Sequence, residues 1–247
     1  MSIHSLTILH YGKDYISYAL RSIYHEIDQA HIFYTPTASH GHSTDLPPID
    51  TKEELQQAVY SYDPDNKIKW YDMIGVTHEG PQRDMALQTV QAAGADLVLV
   101  QDYDEIWPNA VLKNSLTFAQ TSNVRNNLIN MVHFWRSFDL ICRDQGWPVR
   151  IINLMQANNE VAYIPHEPVY HFGYAVTSQT MAYKWQIHGH KNELRLNWFE
   201  DKWYKWPAPD DCHPTNDQDF WTPELFDKTQ LPEFMRQHPF YDLEKIE

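Results

Sequence analysis

The chain has 247 residues, with 19 Lys+Arg against 33 Asp+Glu, a formal net charge of −14 with histidine neutral, and 43% hydrophobic residues. That length suits one domain of generous size, or one domain with an appended subdomain, and the composition excludes general disorder. The acidic balance disfavours polyanions as partners, two cysteines exclude a disulfide framework or a cysteine-based zinc site, and no run approaches the ~20 apolar residues of a membrane span.

The first residues, Met1 to Ser5, lack a basic stretch followed by a long apolar one, so the expectation is a reduced, cytoplasmic setting. Aromatics reach 14%, with nine Trp, fifteen Tyr and ten Phe. Such density serves an aromatic core or the stacking of flat and sugar-like ligands, and the sequence leaves both open.

In chain order, Ser5–His10 reads as a short buried strand. The turn Tyr11-Gly12-Lys13-Asp14 leads into a helix whose Ile16, Ala19, Leu20, Ile23 and Ile27 form one apolar stripe. Ala30–Tyr34 is a second strand, which makes a strand, crossover helix and strand, the unit of parallel sheets. Residues 35–48 are loop. Thr51, with Glu54 three residues on, predicts a capping-box helix to Tyr60. Lys67–Tyr71 is a third strand. A helix over 82–93 is predicted with Met85, Leu87, Val90 and Ala93 inward and Gly94 as its stop.

Residues 95–101 form an uninterrupted apolar run of strand length that ends in charge, the pattern of a central parallel strand buried on both faces. Ligands of open α/β sheets sit outside the carboxyl ends of such strands. Gln101-Asp102-Tyr103-Asp104-Glu105 follows. If the chain stays extended, Asp102 and Asp104 point to one side and converge on a hard divalent ion such as Mg²⁺ or Mn²⁺, while Glu105 faces elsewhere. The alternative is that these acids sit at the positive end of the helix predicted over 110–118.

Three stretches together resemble family-2-like glycosyltransferases of the GT-A fold: Gln82-Arg83-Asp84-Met85-Ala86-Leu87, the 94–100 strand, and Asp102-Tyr103-Asp104-Glu105 as the family's Asp-x-Asp-Glu motif. Further on, Pro148–Asn153 and Ile164-Pro165-His166-Glu167-Pro168 resemble its later strand and Val-His-Glu segment. The likeness covers about residues 5 to 190. It implies an α/β fold with a GT-A-like, Rossmann-type, mostly parallel sheet flanked by helices and a mixed C-terminal part. It implies a sugar moved from a nucleotide sugar, UDP-sugar foremost, to an acceptor hydroxyl with inversion. In that reading His10, Tyr11, Tyr34, Arg83, Asp102 and Tyr103 bind the nucleotide, and Asp102, Asp104 and His171 hold Mn²⁺ or Mg²⁺. Glu167 is then the first candidate general base, with Asp144 second. Tyr34 stands where the family has a base- or ribose-binding Asp, and Asp84 replaces the usual Asn after Arg83.

The same reading divides the chain into a catalytic domain over 1–206, its nucleotide half about 1–115 and acceptor half about 116–206, and a tail over 207–247. The tail carries Pro207, Pro209, Pro214, Pro223, Pro232 and Pro239 but also Trp221, Phe220, Phe226, Phe234 and Phe240, so it is expected to wrap and pack. Met181–Trp206 interleaves Lys184, His188, His190, Lys191 and Arg195 with Trp185, Trp198 and Trp203: either a diphosphate and acceptor groove, or a helix with core Trp and solvated Lys.

No Gly-x-Gly, P-loop, Gly-x-Ser-x-Gly or zincin motif is present. Rival functions are a metal-dependent phosphohydrolase or nucleotidyltransferase, and a non-catalytic carbohydrate-binding module. The acceptor is a glycan or other hydroxyl-bearing molecule, with a modified DNA base disfavoured by charge. No residue pattern indicates an oligomeric state.

Overall fold

The first strand, β1 (Ile3–Leu9), is the axis of the larger of two sheets in a computed structural model, which describes residues 1–38, 42, 44–143, 146–165, 168–187, 189, 191–205, 211–215 and 221–247. It pairs in parallel with β2 (Gln29–Tyr34) on one side and with β4 (Leu97–Val100) on the other, and β2 pairs in parallel with β3 (Ile68–Asp72). Helices α1 (Lys13–Ile23), α2 (Lys52–Tyr60) and α3 (Glu79–Ala92) lie between these strands in sequence. Beyond β4 the hand of pairing changes. β9 (Val149–Asn153) runs antiparallel to β4 and to β6 (Asn126–Leu128), and β10 (Val161–Tyr163) closes that edge parallel to β6. The 95–101 strand therefore has one parallel and one antiparallel neighbour, where two parallel ones were expected.

The smaller sheet has the order β12-β8-β7-β11-β5, built from β5 (Glu105–Ile106), β7 (Met131–Trp135), β8 (Leu140–Arg143), β11 (Val169–Tyr174) and β12 (Glu224–Leu225). Helix α4 (Asn109–Thr121) leaves β5, and α5 (Ser178–Ile187) follows β11. The architecture is mixed α/β with two sheets.

The local chemistry explains the elements. In α1 the stripe Ile16, Ala19, Leu20 and Ile23 is buried, and Ile27 is buried beyond a short 3-10 turn. Thr51 and Glu54 form the reciprocal capping box of α2. The inward face of α3 is Gln82, Ala86 and Val90, at steps of four. Met85 is 48% exposed and Ala93 is also outside, while Leu87 is half-buried. Gln82 takes the inward position with its side-chain NH2 paired there, donating to the Val76 carbonyl at 2.8 Å and to Thr35 Oγ1 at 3.3 Å. A buried polar group with partners overrides the apolar pattern.

One core lies under α1, α2 and α4, with Leu20, Ile32, Leu55, Leu97 and Leu112 at its centre. A smaller one, with Phe33, Ala86 and Val98, lies under α3. The second sheet has an aromatic core in which Phe134 stacks on Phe172 at 4.1 Å, and Trp198 and Trp203 join it, so both rings belong to the core. The tail adds Trp221, Leu231, Met235, Tyr241 and Ile246 to the same core. Pro207, Pro209, Phe220, Trp206, His188 and His190 lie outside the described residues.

Arg136 fixes this tail. It is 1% exposed, at φ 51°, with its guanidinium 4.4 Å from the Trp203 ring centre; it donates to the Trp203 carbonyl and to the Ile246 carbonyl at 3.1 Å, and its own carbonyl accepts from Ile246 N–H at 2.7 Å. Arg136→Leu leaves two buried carbonyls without a charged donor, at ~1.5–3 kcal/mol each. The expected outcome is a loss of about 3–6 kcal/mol in urea unfolding, seen as a lowered midpoint, and residues after 240 opened to carboxypeptidase.

A ladder of polar rings crosses three parallel strands: His4 Nδ1 meets His31 Nε2 at 3.0 Å, and His31 Nδ1 meets the Tyr71 hydroxyl at 3.2 Å. Burial holds both imidazoles below their ordinary range, His31 at about 4. Their folded-state values lie below 6.5, so this contribution is complete above pH 6.5 and is lost as the pH falls towards 4. Denaturation midpoints between pH 7 and pH 4.5 should fall, and His31→Phe should flatten that slope.

Candidate functional site

A cavity of about 330 Å³ opens at the carboxyl ends of β1, β2 and β4. The register explains its position: Leu9 lies opposite Tyr34, Val100 lies opposite Leu6, and all three strands give way to loop at one edge. Its walls are His10 and Tyr11 after β1, Thr35 after β2, Gln101, Asp102 and Tyr103 after β4, Glu79 and Arg83 from α3, and Lys184 on α5 with Gly189 just beyond it. Of the six residues expected to bind a nucleotide, His10, Tyr11, Arg83, Asp102 and Tyr103 line this one space. Tyr34 does not. It stacks on Trp70 at 5.5 Å and faces Lys52 Nζ at 5.8 Å.

The turn after β1 is held tightly. Asp50, buried, accepts from the Gly12 amide at 2.7 Å and the Lys13 amide at 3.1 Å, so it caps the start of α1 from a distance. Gly12 sits at φ +121°, and a Cβ there would lie 2.0 Å from Tyr103 Cδ2. The glycine lets the Tyr103 ring lie flat on the backbone. Tyr11 meets Tyr103 with ring centres 5.2 Å apart, and burial raises both phenols above the ordinary range, so they act as neutral donors and acceptors. His10 Nδ1 donates to the Thr35 carbonyl at 2.8 Å, which leaves Nε2 to accept from the Tyr183 hydroxyl at 2.9 Å. Burial lowers its pKa and keeps it neutral.

The three acids after β4 take three different environments. Residues 102–105 turn instead of staying extended, with Glu105 N–H donating to the Asp102 carbonyl at 3.2 Å, so the two-residue alternation that would align Asp102 with Asp104 does not apply. The Asp102 side chain, 37% exposed, faces the cavity and accepts from Arg150 Nη2 at 2.6 Å. Glu105 is fully buried and takes the rest of the Arg150 fork, at 2.9 and 3.1 Å from Nε and 2.5 Å from Nη2. Burial pushes the Glu105 carboxyl up, with Arg150 opposing it. Asp104, 2% exposed, faces His171, with Oδ1 3.4 Å from Nε2. Burial alone would raise Asp104, but His171 and then Lys184 hold it at about 2, while Asp104 raises His171 against its own burial. None of the three acids caps α4, whose first turn has no acidic residue.

His171 Nδ1 lies 2.7 Å from His133 Nδ1, and Trp221 stacks on His133 at 4.5 Å. Lys184 joins this cluster to the cavity. Its Nζ donates to the Gly173 carbonyl at 3.1 Å, and burial lowers its pKa. Among the described residues no three His, Cys, Asp or Glu side chains group as metal ligands. Of the expected ligand set, Asp104 and His171 do come together: their 3.4 Å separation is close to the ~3 Å between neighbouring ligands of one ion with bonds of about 2.1 Å. Asp102 turns to Arg150 instead. Glu167 and Asp144 lie outside the described residues.

Sequence reading gave no role to Arg150 or Gln101 and left Lys184 among other basic residues. A lone arginine in the apolar strand Val149–Asn153 was the available signal, since a buried guanidinium requires a carboxylate. Gln101 is fully buried, and its amide donates to the carbonyls of Ala19 at 2.9 Å and Glu105 at 3.1 Å.

No family model matches the sequence, and no curated protein matches it. Among solved structures the chain is similar to S. aureus TarS 1–349, at 15% identity and a TM-score of 0.46, over 70% of this chain and 60% of that one. It is similar to the same protein in complex with UDP at 14% identity and a TM-score of 0.42, over 76% and 64%. The chain thus spans less than two thirds of those structures. At that depth the fold rests on its own strand order and the site on its own side chains.

Gly12→Ala puts a methyl group into the Tyr103 ring at a backbone conformation that alanine rarely adopts. The expected result is a loss of about 2 kcal/mol or more in stability and a changed near-UV tyrosine spectrum, while Gly75→Ala, where nothing lies within 4 Å, should pay only for its φ of +83°.

Proposed function

We propose that this chain is a glycosyltransferase that moves a sugar from a nucleotide sugar to an acceptor hydroxyl, with the nucleotide in the cavity at the ends of β1, β2 and β4. The observation that carries the reading is the convergence of His10, Tyr11, Arg83, Asp102, Tyr103 and Lys184 on one space. These residues supply what a nucleoside diphosphate needs: neutral aromatic and imidazole walls for a base and ribose, and two cations for the diphosphate.

In this reading the acceptor hydroxyl gives its proton to Glu167, with Asp144 as the second candidate. Its oxygen attacks the anomeric carbon as the bond to the diphosphate breaks on the opposite face, which gives inversion. Lys184 and Arg83 meet the charge that grows on the leaving diphosphate, the electrostatic part of catalysis. Asp104 and His171 are the side chains that would hold Mn²⁺, which suits a carboxylate with an imidazole; the ion's contribution when bound is further neutralisation of the diphosphate. UDP-sugar is the proposed donor, and a glycan or other hydroxyl-bearing molecule the acceptor.

The test is thermal unfolding of the full chain with UDP, other nucleoside diphosphates and nucleotide sugars, with and without Mn²⁺, on wild type, Lys184→Met and Asp104→Ala. A nucleotide at a hundred times its Kd stabilises by about 2.7 kcal/mol. That gain should appear for UDP and shrink in Lys184→Met, and its Mn²⁺-dependent part should vanish in Asp104→Ala. If no nucleotide raises the Tm of the wild type, the donor site is wrong. Phosphate released from UDP without any sugar acceptor would favour the hydrolase.

A further inference from the structure

A second cavity, of about 340 Å³, shares no lining residue with the first. It lies between the last turn of α1, the start of α4 and the tail at Pro232 and Phe234. Its anchor is Arg21, whose guanidinium carbon is 5.4 Å from the Tyr62 ring centre and 5.0 Å from that of Phe234. The two rings flank the guanidinium. Its hydrogen bond is from Nη1 to Gln237 Oε1, at 3.3 Å, and among the described residues it forms no ion pair. An arginine flanked by two rings, with N–H groups unspent and no carboxylate, is prepared for a planar or tetrahedral oxyanion.

Two further features of the wall point the same way. Trp107 is 1% exposed and lines the cavity, and its indole N–H is buried without an acceptor. Helix α4 begins at Asn109 with Pro108 in the cap position and no side chain on its first amides, so its positive end is open beside the cavity. The one carboxylate in the wall, Glu26, has Lys113 Nζ 3.4 Å away, and His25 Nε2 meets the Tyr62 hydroxyl at 3.2 Å. The local charge therefore favours an anion although the protein as a whole is acidic.

We propose that this cavity is a binding site for the oxyanion group of a small molecule, phosphate ester or carboxylate, clamped by Arg21 at the start of α4. The site is independent of the donor cavity and of the activity proposed for it. Because Pro232 and Phe234 form part of its wall, occupancy also fastens the tail to α1.

The test is NMR of the isotope-labelled full chain titrated at constant ionic strength with inorganic phosphate and, separately, with acetate, each with and without UDP. The amides of Asn109 and Ala110 and the indole N–H of Trp107 should shift saturably, in the same way whether UDP is present or not. A response to phosphate alone identifies a phosphate ester, and a response to acetate alone a carboxylate. Binding should weaken about tenfold or more in Arg21→Gln, the equivalent of one charged hydrogen bond, and measurably in Arg21→Lys, which keeps the charge and loses the fork. No saturable shift with either anion, or wild-type affinity in both variants, overturns the proposal; should Arg21→Gln not fold, Arg21→Lys decides alone.

Discussion

The fork of Arg150 is the interaction on which the site depends. It stands on β9 of the larger sheet and grips Glu105 on β5 of the smaller one, with its remaining edge on Asp102 at the cavity. One guanidinium thus ties the two sheets together and sets the direction of the loop that leaves β4. Burying such charges costs several kcal/mol each, and a hydrophobic replacement often stabilises a fold as well or better. What the ions supply here is direction: a bidentate contact accepts one geometry, and the 102–105 turn inherits it.

Around that fixed loop, the cavity is assembled from contacts that tolerate little change. Tyr103 can lie across the first turn only because Gly12 has no side chain, and the turn keeps its shape only because buried Asp50 accepts its two amides. His10 is held between a strand-end carbonyl and a tyrosine from α5. The walls therefore come from residues 6 to 189, and rigidity of this kind is what a preorganised site needs, since little reorganisation is left for binding.

Much of this was legible in the sequence. The opening strand, the α1 stripe, the second strand and the Thr51–Glu54 capping box depend on local spacing, and local spacing is what a sequence displays. The acidic loop at the end of the buried run was found for the same reason. Four things escaped. The inward face of α3 is led by Gln82, whose burial depends on acceptors 6 and 47 residues away. The alignment of Asp102 with Asp104 assumed an extended chain where Arg150 and the turn impose another path. Lys184 reaches the cavity from a helix 81 residues beyond Tyr103, a convergence that only the fold creates. Tyr34, read as a stacking ring for a base, stacks on Trp70 instead.

The placement of Arg136 sets an order of events in folding. Its two carbonyl acceptors lie 67 and 110 residues further along the chain, whereas the four parallel strands and three helices of the larger sheet are complete by Val100. Pairings so distant must close long loops before they are rewarded, and such contacts form late. The parallel part of the larger sheet thus has its pieces early, while the aromatic core of the smaller one, with Trp203 and Ile246 still to arrive, has to wait. During that interval its rings are exposed, and a nascent chain halted there presents the surface that chaperones and aggregation compete for.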